Sequence, residues 1–167
     1  MNSIFKRRSI RKYTDQPVSE EDITLCLKAA MYAPCAGNEQ AWEFIVTRSK
    51  ENLQRLSDAH PYGKALPGAS AAVTICGNRS KLKFPQEYWI EDCSAAAQNF
   101  MLQATDLGIG TVWLAVYPCE DRVESISEVL ELPGNVIPLC IIPMGYPDEV
   151  RTVEERFRTE KIHVETW

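Results

Sequence analysis

The sequence predicts a single domain of mixed α and β structure, because helical and strand patterns alternate along its 167 residues. That length corresponds to one domain, residues 1–167, and no linker, internal repeat or low-complexity tract divides it. Charged residues make up 25% of the chain and hydrophobic residues 45%, the usage of an ordinary soluble protein. The net charge of −5 argues against general binding to nucleic acid or membrane surfaces, so we expect neither as a partner.

The amino-terminal half predicts two helices and two strands. Ser19 followed by three acidic residues is an N-cap signature, and apolar residues then recur at helical spacing until Pro34 ends the helix. A strand follows at 42–48 and a short helix at 51–59. Residues 71–76 are apolar enough for a strand that is buried on both faces.

The carboxy-terminal half begins with the longest predicted helix, residues 90–107, whose apolar stripe places it in the core. Gly108 is its expected C-cap. The remaining predicted elements are a strand, a helix and a strand, at 111–117, 121–130 and 136–144. The polar tail, residues 148–167, has too little apolar content to form a core, so we expect it to be ordered by docking on a partner subunit.

Six cysteines lie far apart in the sequence, with no C-x-x-C pair among them. Four fall in apolar strands or on apolar helix faces and are predicted to fill the core: Cys26, Cys76, Cys93 and Cys140. With two histidines and no ligand spacing, we expect no metal site. This cysteine usage, without a signal-peptide pattern, favours a reducing, cytoplasmic location.

A basic segment near the amino end, Arg7-Arg8-Ser9-Ile10-Arg11, is unusual in an acidic protein. Three guanidiniums around a hydroxyl provide planar donors that suit phosphate and carbonyl oxygens. Apolar residues are interleaved with the charges, as in a segment that packs against the body of a protein. The segment alone leaves two interpretations open, an anion site and a solvated basic arm.

A second polar loop, residues 33–42, places small residues beside two amides and enters a strand through Trp42. Small residues let a backbone approach a flat ligand, while Asn38 and Gln40 can hydrogen-bond to carbonyl and ring-nitrogen edges. The alternative is an ordinary helix-to-strand loop. The sequence has no G-x-S-x-G elbow, Walker loop or H-E-x-x-H motif, and the G-x-G at 108–110 follows a helix, so it is a cap and turn.

These two segments resemble the nitroreductase family of FMN-dependent oxidoreductases. That family opens with R-x-S-x-R/K, as at 7–11, and shows A-P-S-x-x-N-x-Q-P-W after its first long helix, as at 33–42. Further stretches agree in order and spacing, namely 92–107, 108–114, and 143–147 ahead of Arg156-Phe157. The resemblance implies an α+β, nitroreductase-like fold with a mixed central β-sheet flanked by helices. It also implies a homodimer that holds FMN at the subunit interface and exchanges a C-terminal extension with the partner subunit.

The resemblance further implies three groups of FMN-binding positions. The first would meet the phosphate, ribityl chain and pyrimidine edge, with Arg11 near flavin N1 and the C2 carbonyl: Arg7, Arg8, Ser9, Arg11 and Arg156. The second would reach the flavin from the other subunit: Pro34, Cys35, Ala36 and Asn38. The third lies at a strand end whose backbone faces the ring and directs an N–H at flavin N5: Leu114, Ala115 and Val116.

Four positions depart from the family pattern. Cys35 stands where serine is common, Ala41 where proline is, Ala115 where glycine is frequent, and Glu154 where many relatives place a lysine. These changes concern cofactor affinity and substrate choice. The chain is also short beside better-known members, so we expect it to lack the helical insertion that covers their active site and to have a more open pocket.

The implied function is an FMN-dependent NAD(P)H oxidoreductase that transfers hydride from NADH or NADPH through the flavin to a small electron-poor acceptor, such as a nitroaromatic or quinone. Because the cofactor carries the chemistry, no catalytic side chain is assigned. Tyr88 and Trp89 are either substrate-stacking or packed aromatics. The alternatives are another acceptor, such as an enone or halogenated phenol, and an FMN reservoir or redox-sensing protein without efficient turnover. A structural or nucleic-acid role for the basic end is disfavoured by the acidic balance.

Overall fold

The computed structural model describes residues 3–167, and a β-sheet forms its centre. Its strands are β1 (Trp42–Thr47), β2 (Ala71–Asn78), β3 (Gly110–Thr111), β4 (Leu114–Ala115) and β5 (Val136–Gly145). All the strand pairs are antiparallel, in the order β1-β2-β5-β3, and β4 also pairs with β5. Within residues 3–167, parallel pairing is confined to an isolated bridge between Ser9 and Thr111. The α+β class is therefore confirmed, and the parallel part of the expected mixed sheet is reduced to that bridge.

Helices surround this sheet, namely α1 (Ser3–Lys6), α2 (Glu20–Met31), α3 (Lys50–Ala59), α4 (Trp89–Asp106) and α5 (Glu120–Leu130). The predicted N-cap of α2 is confirmed, because Ser19 Oγ accepts a hydrogen bond from Asp22 N at 3.0 Å. Gly108, with a φ of +75°, follows the end of α4 as predicted. The sequence patterns predict α2 to α5 closely and do not predict α1.

The sheet is buried on both faces, which explains the apolar runs of β2 and β5. Cys140 and Ile142 face a cluster that includes side chains of α2 and α4, whereas Ile141 faces a second cluster with α3 and α5. Alternate residues of one strand thus enter opposite layers. The four cysteines predicted for the core are all buried, which confirms that prediction.

The edge of β5 that faces away from β2 carries two short strands, so the prediction of one continuous strand at 111–117 is wrong. Thr111 pairs with Met144 and Leu114 pairs with Ile141, while the two residues between them leave the ladder. In this register Pro143 lies opposite Val112, and proline has no N–H to contribute to a ladder hydrogen bond.

The tail beyond β5 is exposed along residues 150–167, with a single 3-10 turn at Thr159–Lys161. Its apolar side chains point into solvent, as illustrated by Val150 and Trp167, which are 97% and 99% exposed. Exchange of this tail with a partner stays a prediction. None of the helices in residues 3–167 combines the length and apolar character needed to cross a bilayer.

Candidate functional site

The basic amino-terminal segment is fixed against one end of the sheet rather than free in solvent. Ile10 N donates to Thr111 O at 2.9 Å, and Thr14 N donates to Tyr146 O at 2.9 Å. Ile10 is buried and packs on Gly110, where a Cβ would lie 2.7 Å from the isoleucine side chain. The interpretation as a solvated basic arm is therefore wrong, because the apolar residues interleaved with the charges anchor the segment.

Glu149 joins this segment to the start of the tail. Its Oε1 accepts hydrogen bonds from Arg11 N at 2.6 Å and Lys12 N at 3.2 Å, and its Oε2 pairs with the Arg151 guanidinium at 2.6 Å. These donors, with Arg11 N contributing most, hold the pKa of the Glu149 carboxyl below its ordinary value. The carboxylate therefore fixes the backbone at Arg11 and Lys12 while leaving their side chains available.

The segment and the tail together form a cleft of about 260 Å³, which we call the arginine cleft. Its lining residues are Arg8, Ser9, Arg11, Arg151, Thr152, Glu154 and Arg156. Arg8 Nε donates to Thr152 O at 3.0 Å, a contact that closes one side. Four of the five predicted residues of the first group thus line one cleft, and Arg7 lines the adjoining one with Arg8 and Arg156.

Positive charge is in excess in this region. Burial, and then the neighbouring Arg156 and Arg8, lower the pKa of the Arg7 guanidinium. Arg156 forms no ion pair within residues 3–167, whereas Arg151 is neutralised by Glu149. Guanidiniums that crowd together without carboxylate partners favour a multivalent anion such as a phosphate, and a phosphate therefore fits this donor set.

The third predicted group lies farther along the same sheet edge. Leu114 and Val116 are buried towards α3 and α5, while Ala115 is exposed between them. Val116 N donates to Leu139 O at 3.0 Å, so this N–H already has an acceptor inside the chain. Ala115 is therefore the one member of the group whose side of the strand is open to a ligand.

Two side chains that sequence reasoning missed hold the carbonyl of Ala115. His60 Nε2 lies 2.9 Å from Ala115 O, and Arg122 donates to the same oxygen at 3.0 Å. Tyr62 N donates to His60 Nδ1 at 3.1 Å, which fixes the neutral tautomer with its proton on Nε2. Burial, followed by the charge of Arg122, lowers the pKa of His60 despite the opposing hydrogen bond to Ala115. The Ala115 peptide is therefore held by two donors.

The second predicted group occupies a tight loop between α2 and β1. Ala36 N donates to Asp92 Oδ1 at 3.0 Å, and Gln40 Nε2 donates to Asn38 Oδ1 at 2.9 Å. Gly37 and Asn38 both have positive φ values, of 50° and 54°, and a Cβ at Gly37 would lie 2.7 Å from Phe84. The glycine is therefore required by both the backbone conformation and the contact with Phe84.

Within this loop Pro34 and Asn38 are exposed, while Cys35 and Ala36 are half-buried. Asp92, beneath the loop, is itself buried, and burial raises the pKa of its carboxyl against the opposing hydrogen bond from Ala36. The loop therefore exposes a few small residues, and Asp92 holds their backbone from below.

Loop 34–38 and the arginine cleft lie at opposite ends of β5. Val136 lies at the end of β5 that is nearer to loop 34–38, because its pairing partner Asn78 donates its backbone N–H to Ala41 O at 2.6 Å. Met144 marks the arginine end, where it pairs with Thr111. The strand between residues 136 and 144 is about 26 Å long at 3.3 Å per residue.

α4 gives a second measure of this separation. Asp92, in its first turn, binds the loop, and Thr105, in its last turn, lines a cleft with Arg8. The helix between them rises about 20 Å at 1.5 Å per residue. The second predicted group and the arginine cleft therefore lie about 20 to 26 Å apart in one chain.

The two aromatics at the start of α4 differ. Trp89 is buried and packs on Gly77, so it is part of the core rather than a free stacking surface. Tyr88 is 42% exposed and contacts Phe84 edge-on at a ring separation of 6.0 Å. Within residues 3–167, no group of three or more His, Cys, Asp or Glu side chains is placed to hold a metal ion.

The chain belongs to the nitroreductase family, whose model matches residues 4–73 and 60–146. It is 45% identical to an Archaeoglobus fulgidus protein named "Putative NADH dehydrogenase/NAD(P)H nitroreductase", over all of this chain and 98% of that protein. It is 27% identical to the FMN reductase [NAD(P)H] of Bacillus subtilis, over all of this chain and 75% of that enzyme. The structure of an FMN-dependent nitroreductase from Clostridium difficile superposes with a TM-score of 0.92 at 35% identity, over 99% of each chain.

Proposed function

We propose that this protein is an FMN-dependent NAD(P)H oxidoreductase that reduces a small electron-poor acceptor such as a nitroaromatic or quinone. The observation that carries the proposal is the arginine cleft, in which Arg8, Arg11 and Arg156 form no ion pair within residues 3–167, on the same sheet edge as the exposed Ala115. Relatives named as nitroreductase and FMN reductase support the same chemistry. We also propose that residues 1–167 act as one nitroreductase-like domain in a reducing cytoplasm, which the six free thiols support.

The donor set suggests how FMN would lie. Arg8, Arg156 and the Ser9 hydroxyl would take the phosphate, with Arg7 adding positive charge behind them. Four residues of backbone lead from Thr111, beside this cleft, to Ala115, a span of at most about 13 Å. That span suits a ribityl chain, and in the proposed arrangement the ring lies against Ala115. We propose that Arg11 then lies at the N1 and C2 carbonyl side of the ring.

We propose that the second group of predicted residues acts from a second copy of the chain. Loop 34–38 lies about 26 Å from the arginine cleft along β5, and in this arrangement it reaches the flavin of a partner subunit. The exposed apolar tail is consistent with docking on that partner. The proposed assembly is therefore a homodimer with two FMN sites, each built from the cleft of one subunit and loop 34–38 of the other.

FMN, when bound, would supply the redox chemistry between NADH or NADPH and the acceptor. In this proposal the side chains of the protein bind FMN and orient it. The arginines neutralise the phosphate, and Arg11 places a fixed cation where the reduced ring carries negative charge. His60 and Arg122 prevent the Ala115 peptide from turning, so the strand keeps one geometry towards the ring. No nucleophilic side chain is required for this function.

The proposal is tested by the visible spectrum of the purified protein after addition of FMN, followed by anaerobic NADH or NADPH. We expect about one FMN per subunit, bleaching with a nicotinamide, and recovery of the oxidised spectrum on addition of a quinone or nitroaromatic. A flavin that is reduced by dithionite but not by either nicotinamide would instead favour the reservoir or sensor role. A protein that retains no FMN after reconstitution would contradict both functions.

Thiol labelling provides a further test of the same site. Burial raises the pKa of Cys26 and Cys76 to about 12 and also raises those of Cys93 and Cys140. We therefore expect two of the six thiols, the half-buried Cys35 and Cys119, to react in the native protein and all six after denaturation.

FMN should slow the labelling of Cys35 and leave Cys119, the control, unchanged. Mass spectrometry of the labelled peptides measures both rates. Equal rates at Cys35 with and without FMN would argue against contact between loop 34–38 and the flavin.

A further inference from the structure

His60 belongs to a closed cycle of contacts around the carbonyl of Ala115. Its Nε2 and the Arg122 guanidinium both bond Ala115 O, at 2.9 and 3.0 Å. Its Nδ1 accepts the backbone N–H of Tyr62 at 3.1 Å, and the Arg122 guanidinium lies over the Tyr62 ring, 5.3 Å from the ring centre. The cycle therefore joins the turn after α3, strand β4 and the first turn of α5.

The two ring nitrogens of His60 have roles that together require a neutral imidazole. A neutral ring donates through Nε2 and accepts at Nδ1, as these contacts demand, whereas a protonated ring carries a proton on both nitrogens. Protonation would leave the Tyr62 N–H without its acceptor. It would also place a second positive charge beside Arg122, at the oxygen that both residues share, and the two charges would repel each other.

His60 has no carboxylate partner that would stabilise a protonated ring. It is 2% exposed, and none of the ion pairs within residues 3–167 includes it. Asp58, the nearest acid along the chain, faces solvent and accepts from Gln54 Nε2 at 2.7 Å. The groups that face the imidazole are the Tyr62 ring, at 6.2 Å between centres, and the cation of Arg122.

Folding therefore favours the neutral form of His60. Burial, and then the charge of Arg122, lower the pKa of His60 below its ordinary value of 6.5, against the opposing hydrogen bond to Ala115. A histidine whose pKa is lowered by folding stabilises the folded state above pH 6.5, and this contribution is lost as the pH falls below that value. An acidic solution therefore acts against the cycle of contacts.

We propose that His60 is a positioning residue that holds β4 at Ala115 only while its ring is neutral, so that FMN binding weakens as the solution becomes acidic. Protonation breaks the cycle at Tyr62 N and at Arg122 and frees the Ala115 peptide to turn. Strand β4 then no longer offers a fixed surface to the flavin, which the proposed function places against Ala115. The inference rests on the proposed function and adds a pH dependence to the cofactor site.

The pH dependence is tested by titrating the apoprotein with FMN at about pH 7.5 and about pH 5.5, with flavin fluorescence as the readout. His60→Gln keeps a side-chain donor for Ala115 O but does not titrate. Between these two pH values we expect the FMN affinity of the wild type to fall about fivefold more than that of His60→Gln. The FMN phosphate titrates at about pH 6 in both proteins, so the comparison cancels its contribution.

His163→Gln is the matched control, because His163 is the other histidine of the chain and its ring stacks on Trp167 in the exposed tail. This variant should keep the wild-type pH dependence. His60→Leu removes the donor and should bind FMN about fivefold more weakly than His60→Gln at about pH 7.5. Equal pH profiles in the wild type and His60→Gln, or a lost pH dependence in His163→Gln, would overturn the proposal.

The cycle of contacts is tested without FMN by NMR of the apoprotein. As the pH falls, we expect the His60 ring, the Tyr62 amide and the Ala115 carbonyl signals to change with one common midpoint. In His60→Gln the last two signals should stay constant. Arg122→Met removes the neighbouring charge and should move the His60 midpoint to higher pH. Different midpoints for His60 and Ala115 would contradict the coupling between them.

Reduction of bound FMN by NADH or NADPH, measured at about pH 7.5, separates this inference from the proposed function. If FMN binds and is reduced but the pH profiles of the wild type and His60→Gln coincide, the proposed function stands and the positioning role of His60 fails. If no FMN binds at either pH, the proposed function fails, and the pH dependence of the cofactor site fails with it.

Discussion

FMN should bind about 10- to 150-fold more weakly to the Arg156→Ala protein than to the wild type, because a charge-assisted contact with the phosphate is worth about 1.5 to 3 kcal/mol. Arg156 lines the arginine cleft and has no carboxylate partner within residues 3–167, so its charge is available to a ligand. Titration of the apoprotein with FMN, followed by flavin fluorescence, measures the dissociation constant.

The tail offers a matched control for this prediction. Arg158 lies two residues farther along, carries the same charge and does not line the cleft. Its guanidinium donates instead to Phe157 O at 2.9 Å. Arg158→Ala should therefore leave the FMN dissociation constant within about twofold of wild type. Equal losses in the two variants would mean that the tail acts through general charge and not through the arginine cleft.

The dependence of FMN affinity on salt concentration gives a further test of the Arg156 contact. A phosphate contact between exposed charges is screened as ionic strength rises. The FMN affinity of wild-type protein should therefore fall more steeply with salt than that of Arg156→Ala.

The elements of the fold were predictable where burial dictates a local pattern. β2 and β5 are buried on both faces and have apolar sequences, and α4 shows its core face as a regular stripe. β3 and β4 were not predictable as separate strands, because the break depends on Pro143 of β5 lying opposite Val112. The placement of Pro143 opposite Val112 exists only in the folded sheet, and residues 111–117 carry no sequence pattern that indicates it.

The candidate site also contains residues that the sequence indicates and residues that it does not. The basic residues at 7–11 are conspicuous in the sequence because three arginines stand close together in an acidic protein. The contact that orients them, from Arg11 N to Glu149, joins residues 138 positions apart. His60 and Ala115 are 55 positions apart, and a lone histidine after a short helix has no motif that would have identified it. The sequence indicates side chains that could bind a ligand themselves, but it gives no signal for residues that position a backbone from a distance.

Mixing two variants that each bind FMN weakly should restore wild-type FMN affinity at some sites if each site is shared between subunits. Arg156→Ala impairs the arginine cleft. Gly37→Val impairs loop 34–38, because its φ of +50° strains a β-branched residue and the new Cβ would lie 2.7 Å from Phe84. A mixed dimer contains one site in which both parts are impaired and one in which both are intact. After subunit exchange at equal concentrations, half of the dimers are mixed, so about a quarter of the sites should bind FMN with wild-type affinity.

The control mixes Arg156→Ala with Arg8→Ala, two variants of the same cleft. Each subunit of that mixed dimer has one impaired cleft, so no intact site forms and no wild-type affinity should return. Recovery in the first mixture alone requires that the cleft and the loop of one site come from different chains. Absence of recovery in both mixtures, with subunit exchange verified by mass spectrometry, would contradict a flavin site that is shared between subunits. The arginine cleft and Ala115 would then have to bind FMN within one subunit.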